Sequence, residues 1–258
     1  MKKSFDVYKI AECLEPSEEA LQLNICRIDP VWGDELSAEN YFKLAHTFYN
    51  EHRGLLTPKE VGVTLSHIEI YKRIVASNVA AVIFESDIAV SGQQLDCFQD
   101  IIKQQPLDFI HLGVHPNSLR GRYFWGRKLK EHHGLYIASV HLDFHGTFAY
   151  YLSPRAAAML VEIHENCLHR SDDWVRLLSK MELRAYYAPL FPHPAERSAL
   201  AEERKMLRSN LSLSRRIRKA TFNDLYYQLK CKIIKIYARL FLSPIRGVEG
   251  KEKENAEA

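Results

Sequence analysis

Two acidic side chains, Glu85 and Asp87, stand two residues apart where an apolar run, residues 79–84 (Val-Ala-Ala-Val-Ile-Phe), stops. If that run is a strand, both carboxylates project to one side and can converge on one cation. Carboxylate oxygens in this number suit Mg²⁺ or Mn²⁺, with most of the shell left to water and phosphate. A solvated acidic pair at a strand end has the same spacing, and the pattern by itself leaves both readings open.

Ser66 and His67 are adjacent in a helical stretch, so their side chains diverge by about 100° and cannot act as a nucleophile–base pair. His111, His115, His132, His133, His141 and His145 lack the helical i, i+4 pairing of zinc hydrolases and have no companion cysteines, which argues against that class. Arg120, Arg122 and Arg127 are interleaved with Tyr123, Phe124 and Trp125. A basic aromatic loop of this kind suits an anionic or phosphorylated glycan, and it is equally the composition of a plain surface loop.

These groups need a scaffold, and the chain alternates helix and strand patterns that supply one. Residues 5–10 and 25–28 read as short strands, with helical stretches at 15–24 and 38–50. Thr57-Pro58-Lys59-Glu60 combines an N-cap, a first-turn proline and a capping-box glutamate, which predicts a helix to about residue 76. The apolar run at 79–84 then reads as a buried parallel strand whose carboxyl end carries Glu85 and Asp87; in open α/β sheets ligands bind at that edge. A helix at 93–104, a strand at 108–112, strands at 136–140 and 146–152, and helices at 156–165 and 173–181 continue the pattern. Residues 115–134 have no clear period and read as a long loop.

The chain has 258 residues, 47% of them hydrophobic and 26% charged, an ordinary globular composition that excludes collagen, wholesale disorder and a polytopic membrane protein. Five cysteines, widely spaced and without a close pair, indicate neither a disulfide framework nor a zinc ribbon and fit a reducing cytosol. The first residues run into mixed polar sequence with no apolar signal region, and no uncharged apolar stretch approaches the roughly 20 residues of a spanning helix. The net charge of +3 conceals a division. Between Arg204 and Arg246 there are twelve basic residues against one acidic residue, Asp224, so that segment carries +11 and the remainder −8.

Several motifs in order resemble glycosyltransferase family 25, the lipooligosaccharide biosynthesis enzymes. Residues 56–67 (Leu-Thr-Pro-Lys-Glu-Val-Gly-Val-Thr-Leu-Ser-His) are similar to the family's L-T-x-G-E-x-G-C-x-L-S-H, and Glu85-Ser86-Asp87 stands where the family has E-D-D. Asp108 to Gly113 is similar to D-x-x-x-L-G, and residues 146–160 are similar to G-T-x-A-Y-x-I-S-x-x-G-A-x-x-L. Residues 7–10 and 29–36 sit where the family has V-I-N-L and D-A-V-D-G-x-x-L, so the resemblance spans roughly residues 5 to 195. Three departures are Ser86 for the middle carboxylate, Lys59 for a glycine, and no arginine pair in residues 16–20.

The resemblance implies an α/β fold of GT-A type with a mixed, mainly parallel sheet, occupying residues 1–200. It implies a transferase that moves a hexose, commonly galactose from UDP-galactose, with inversion and with Mn²⁺ or Mg²⁺ held by Asp87 and Glu85. Ser66, His67, Gly146 and Thr147 fall in the implied nucleotide-sugar site, and His193, in Pro-His-Pro, is an implied late metal ligand or else a loop histidine. In a fold of this kind a carboxylate at 172–173 opposes the donor, so Asp172 and Asp173 are candidates for the base that takes the acceptor's proton. Their other reading is a helix N-cap pair. Arg120, Arg122, Tyr123, Trp125 and Trp174 are candidate acceptor contacts, Trp174 being equally a core residue.

Phe222, Leu225, Leu229, Ile233, Ile236 and Leu240 form one apolar stripe, with Lys232, Lys235 and Arg239 on its flank. A basic amphipathic helix over residues 201–248 reads as an anchor on anionic lipid, which places the protein at the cytoplasmic face of the inner membrane beside a lipooligosaccharide or lipopolysaccharide acceptor. Docking on the catalytic domain or on a second copy is the alternative for the stripe. Nucleic acid is disfavoured, since no recognised nucleic-acid motif accompanies the charge. Residues 249–258 read as a disordered charged end. Ser86 also motivates a competing function, a catalytically impaired homologue that binds or scaffolds glycans.

Overall fold

The computed structural model describes residues 4–15, 24–52, 54–104, 107–114, 124–129, 134–139 and 144–193, with residues 229, 232–234, 236–237 and 240–245 beyond them. The strands are β1 (Asp6–Ile10), β2 (Ile25–Ile28), β3 (Ala81–Phe84), β4 (Phe109–Val114), β5 (Phe124–Lys128), β6 (Tyr136–Ala138), β7 (Ala149–Leu152), β8 (Tyr186–Pro192) and β9 (Ser243–Ile245). The helices are α1 (Ala38–His52), α2 (Pro58–Ser77), α3 (Gly92–Gln104), α4 (Pro154–Asn166) and α5 (Trp174–Lys180). The nine strands among the described residues form one sheet in the order β2-β1-β3-β7-β4-β8-β6-β5-β9.

Period-2 alternation divides the core into two layers. Tyr8, Ile83, Phe109 and Tyr150 face α2, α4 and α5 with Val61, Ile70, Leu160 and Trp174. Val7, Val82, Phe84, Ile110 and Tyr151 face the other way, onto Leu95, Phe98 and Ile101 of α3. The chain is therefore a mixed α/β protein with helices on both faces of its sheet.

The sheet is not mainly parallel. Three of its pairings are parallel (β1·β2, β1·β3, β4·β8) and five are antiparallel. β7 lies antiparallel between β3 and β4, yet all four of its residues are buried. A continuous apolar run thus reports burial on both faces and carries no information on strand direction. Three strands have no counterpart in the expected pattern: β5 falls within the stretch read as a loop, β8 follows the last expected helix, and β9 lies in the segment read as helical. Beyond residue 200, read as a separate helical unit, β9 pairs with β5 and so joins the sheet. The arginine and tyrosine at 120, 122 and 123, the helix expected at 15–24 and the end 249–258 lie outside the described residues, in whole or nearly so.

Helix α2 is seated as its sequence requires. The Thr57 hydroxyl accepts from the Glu60 amide at 3.1 Å while Glu60 Oε2 accepts from the Thr57 amide at 2.8 Å, a complete capping box. Gly62 on this helix meets the turn after β2 so closely that a Cβ would stand 2.4 Å from the Val31 carbonyl oxygen, and one on Gly33 would stand 1.7 Å from that of Pro58. Ser66 fixes the joint, accepting from the Val31 amide at 2.8 Å and donating to the Gly62 carbonyl at 3.0 Å.

Candidate active site

β1, β2, β3, β4 and β8 all run in one direction, so their carboxyl ends and the amino end of antiparallel β7 share one edge. From β1 the chain passes to β2 on one side and then to β3 on the other, so the carboxyl ends of β1 and β3 are the switch point at which such sheets bind ligands. Glu85 and Asp87 follow β3, Thr147 precedes β7, and His193 follows β8. The edge collects these four residues from segments far apart in the chain.

Glu85 leaves the strand with its amide donating to the Phe148 carbonyl at 3.0 Å. Its carboxylate accepts from the Thr147 hydroxyl and lies 3.7 Å from His67 Nε2. Burial pushes the Glu85 carboxyl up, but His67, Thr147 and His193 outweigh it and hold the group below the usual carboxylate range. Asp87 moves the opposite way: burial and the neighbouring Glu85 charge raise it, against the opposing pull of His193 and Lys9. His193 Nε2 stands 3.3 Å from Asp87 Oδ2. Lys9, almost fully buried, donates from Nζ to the Ile88 carbonyl at 3.0 Å and so fixes the turn after Asp87.

His67 is wholly buried, with Nδ1 2.7 Å from Tyr150 Oη, which in turn meets Tyr71 Oη at 3.1 Å. Ser66 points elsewhere. It is buried and its hydroxyl is bonded within the fold, so it positions α2 and does not present itself to a donor.

Gly146 has φ +97°, and a Cβ there would meet the Phe148 ring at 2.5 Å. Its carbonyl accepts from Trp174 Nε1 at 2.7 Å and lies 3.2 Å from His111 Nε2. Trp174 is fully buried against Phe109 and Tyr150, which removes it from the candidate acceptor contacts: a ring with no exposed surface cannot stack on a sugar. It does tie the turn carrying Asp172 and Asp173 to Gly146, next in sequence to the Thr147 that binds Glu85. Asp173 occupies the N-cap position of α5 without a side-chain cap bond, and its Oδ2 accepts from Arg176 Nε at 3.2 Å. Trp125, on β5, is partly exposed.

A second cluster had no sequence signal. Glu51 and His52, at the end of α1, meet Cys167 and His169 from the turn after α4. Burial, with Lys180 next, pushes His169 down to about 4, and burial with Arg176 lowers His52. Burial also raises the Cys167 thiol to about 11.

The family model described as glycosyltransferase family 25 (LPS biosynthesis protein) matches residues 12–175. No curated protein matches the chain. Among solved structures it is similar to mannose-1-phosphate geranyltransferase from Thermus thermophilus, at 8% identity and a TM-score of 0.31, with 75% of each chain covered, a likeness too distant to bear on the chemistry.

Proposed function

The chain belongs to glycosyltransferase family 25 and is a glycosyltransferase, and from that premise we propose that it transfers a hexose, galactose from UDP-galactose, to a lipooligosaccharide or lipopolysaccharide acceptor with inversion, on a GT-A type fold. The observation that carries this reading is the gathering of Glu85, Asp87, Thr147 and His193 at the carboxyl edge of the sheet.

The donor set fits a divalent cation. Asp87 is raised partly by the charge of Glu85, a like-charge strain that a cation between or beside the two carboxylates relieves. Asp87, Glu85 and His193 would hold Mn²⁺ or Mg²⁺, which when bound supplies positive charge to the leaving diphosphate. His67 and Thr147 keep Glu85 ionised and aimed, and Lys9 braces the turn that bears Asp87.

The acceptor hydroxyl gives its proton to a carboxylate as its oxygen bonds to the anomeric carbon and the bond to the diphosphate breaks, releasing UDP. That carboxylate is Asp172 or Asp173, side by side ahead of α5; Asp173 also accepts from Arg176, which donates to His52 Nδ1 at 2.7 Å.

The tail supports association with an anionic membrane. Leu229, Ile233, Ile236 and Leu240 are 58–70% exposed, so the stripe does not dock on the described part of the domain. Among the described residues no helix is long and apolar enough to cross a membrane.

Turnover of a panel of nucleotide sugars with Mn²⁺, read by product mass, tests the proposal. UDP-galactose is expected to be used, Asp87→Ala to abolish transfer, and one of Asp172→Asn and Asp173→Asn, whichever removes the base, to lower kcat about 10²–10⁴-fold. Full activity in Asp87→Ala would remove the metal assignment, and an absence of turnover with any donor would favour the glycan-binding scaffold that Ser86 suggests.

A further inference from the structure

Outside the active site, four metal-ligating side chains converge at the junction of α1 with the turn after α4. One ligand atom from each of Glu51, His52, Cys167 and His169 lies within 4.8 Å of every other. His52 Nε2 and His169 Nδ1 are 3.2 Å apart, close to the ~3.4 Å between two nitrogens on neighbouring vertices of a zinc tetrahedron with Zn–N bonds of about 2.1 Å. His169 has no exposed surface, and its Nε2 is buried without a hydrogen bond, facing Glu51 Oε2 at 3.8 Å. With His169 Nδ1 on a metal the ring proton stays on Nε2, where it faces the Glu51 carboxylate, the outer pairing that metal-bound histidines make.

We propose that Glu51, His52, Cys167 and His169 form a zinc site that fastens the end of α1 to the turn leading to Asp172 and Asp173. Mixed nitrogen, sulfur and carboxylate donors are the zinc set, and a dication neutralises the thiolate and carboxylate together. Glu51 is exposed, which gives the ion an entry path. The surroundings already supply outer partners: Lys180 Nζ is 3.1 Å from Glu51 Oε1, and the His164 ring accepts from the His169 amide at 3.3 Å. Two contacts must change, the first being the His52 Nε2–His169 Nδ1 hydrogen bond, whose two nitrogens both turn to the metal. Ligation through His52 Nε2 places the ring proton on Nδ1, so Arg176 must release that atom; its Nε already donates to Asp173, and that carboxylate receives the guanidinium. Zinc therefore bears on Asp173 through Arg176.

The test uses the full chain, stripped with a chelator and titrated with Zn²⁺ alone. One zinc per chain is expected, with Tm raised by roughly 5 °C at free zinc about 100-fold above Kd. Cobalt(II) in its place is expected to give sulfur-to-metal charge-transfer absorption that Cys167→Ser abolishes. Glu51→Gln, at an exposed position that leaves the core untouched, is expected to weaken zinc by at least about tenfold, the lower end of what even outer partners contribute. Asp87→Ala is expected to keep its zinc, which separates this site from the one beside Asp87. Substoichiometric zinc, binding without a thermal shift, unchanged affinity in both ligand variants, or loss of the zinc in Asp87→Ala would each overturn the proposal.

Discussion

His67 Nε2 stands 3.7 Å from Glu85 Oε1 inside the fold, and the other nitrogen of the same ring meets Tyr150 2.7 Å away. Through this ring the central helix α2 and strand β7 both bear on Glu85, the first carboxylate of the proposed site. His67 touches Glu85 and is otherwise enclosed, so its place is to position and charge that group.

His67→Gln is therefore expected to lower kcat with little change in KM for the acceptor, and to move the acid limb of stability. Glu85 is held below the usual carboxylate range, so its contribution is present above that range and lost as pH falls through its folded value. In the variant less of that stability is present to be lost, so the chain should be less stable near neutral pH and its acid limb flatter. Thermal unfolding followed from neutral to acid pH checks this; superimposable acid limbs would separate His67 from Glu85.

Asp87 carries the opposite sign. Its carboxyl is raised by burial and by Glu85, so the folded state favours the protonated form, and above the folded value its charge destabilises the apo protein. Asp87→Asn is expected to raise the metal-free Tm slightly at neutral pH, by about 1–3 °C, while abolishing transfer. Mn²⁺ should stabilise the parent chain at neutral pH and lose that effect in acid. A variant less stable than the parent without metal would show that Asp87 serves the fold.

The extent to which the chain can be read from its residues follows from how local each signal is. Thr57, Pro58 and Glu60 lie within one turn, so the start of α2 is legible, and the complete capping box bears it out. Strand direction is not local: nothing in Ala149-Tyr-Tyr-Leu152 says that it runs against β3 and β4. Glu85 and Asp87 are legible as a pair, whereas their different partners, His67 with Thr147 and His193, arrive from distant segments. Glu51-His52 and Cys167-Leu-His169 are separated by more than a hundred residues and signify nothing until α1 and the turn after α4 are placed together. Trp174 illustrates the converse. A tryptophan beside two aspartates invites a sugar-stacking reading, and only its neighbours Phe109 and Tyr150 assign it to the core.

Trp174→Phe tests that assignment. Phenylalanine keeps most of the ring packing and removes the N–H that reaches the Gly146 carbonyl, with a small void besides. A loss of about 2 kcal/mol in urea unfolding is expected from the lost bond and the smaller ring. The acceptor KM should stay within a few-fold of the parent. The reverse outcome, unchanged stability with a large rise in acceptor KM, would return Trp174 to the sugar site.

The tail calls for substitution within the whole chain, since β9 pairs with β5 and a truncation near residue 200 would take a strand from the sheet. Ile233 and Leu240 are 58% and 70% exposed on the apolar stripe, and Lys232 lies in the same helical stretch. Ile233→Glu combined with Leu240→Glu removes two apolar contacts and opposes the attraction to anionic headgroups, so partition onto phosphatidylglycerol vesicles should fall by about tenfold or more. Binding by the parent should weaken with salt, and phosphatidylcholine vesicles should retain little of it. On a soluble acceptor the variant should turn over as the parent does, because both side chains are exposed and neither belongs to the core. Equal partition of variant and parent would exclude the stripe as the membrane contact and return it to docking against a second copy, which a concentration series of sedimentation would then reveal.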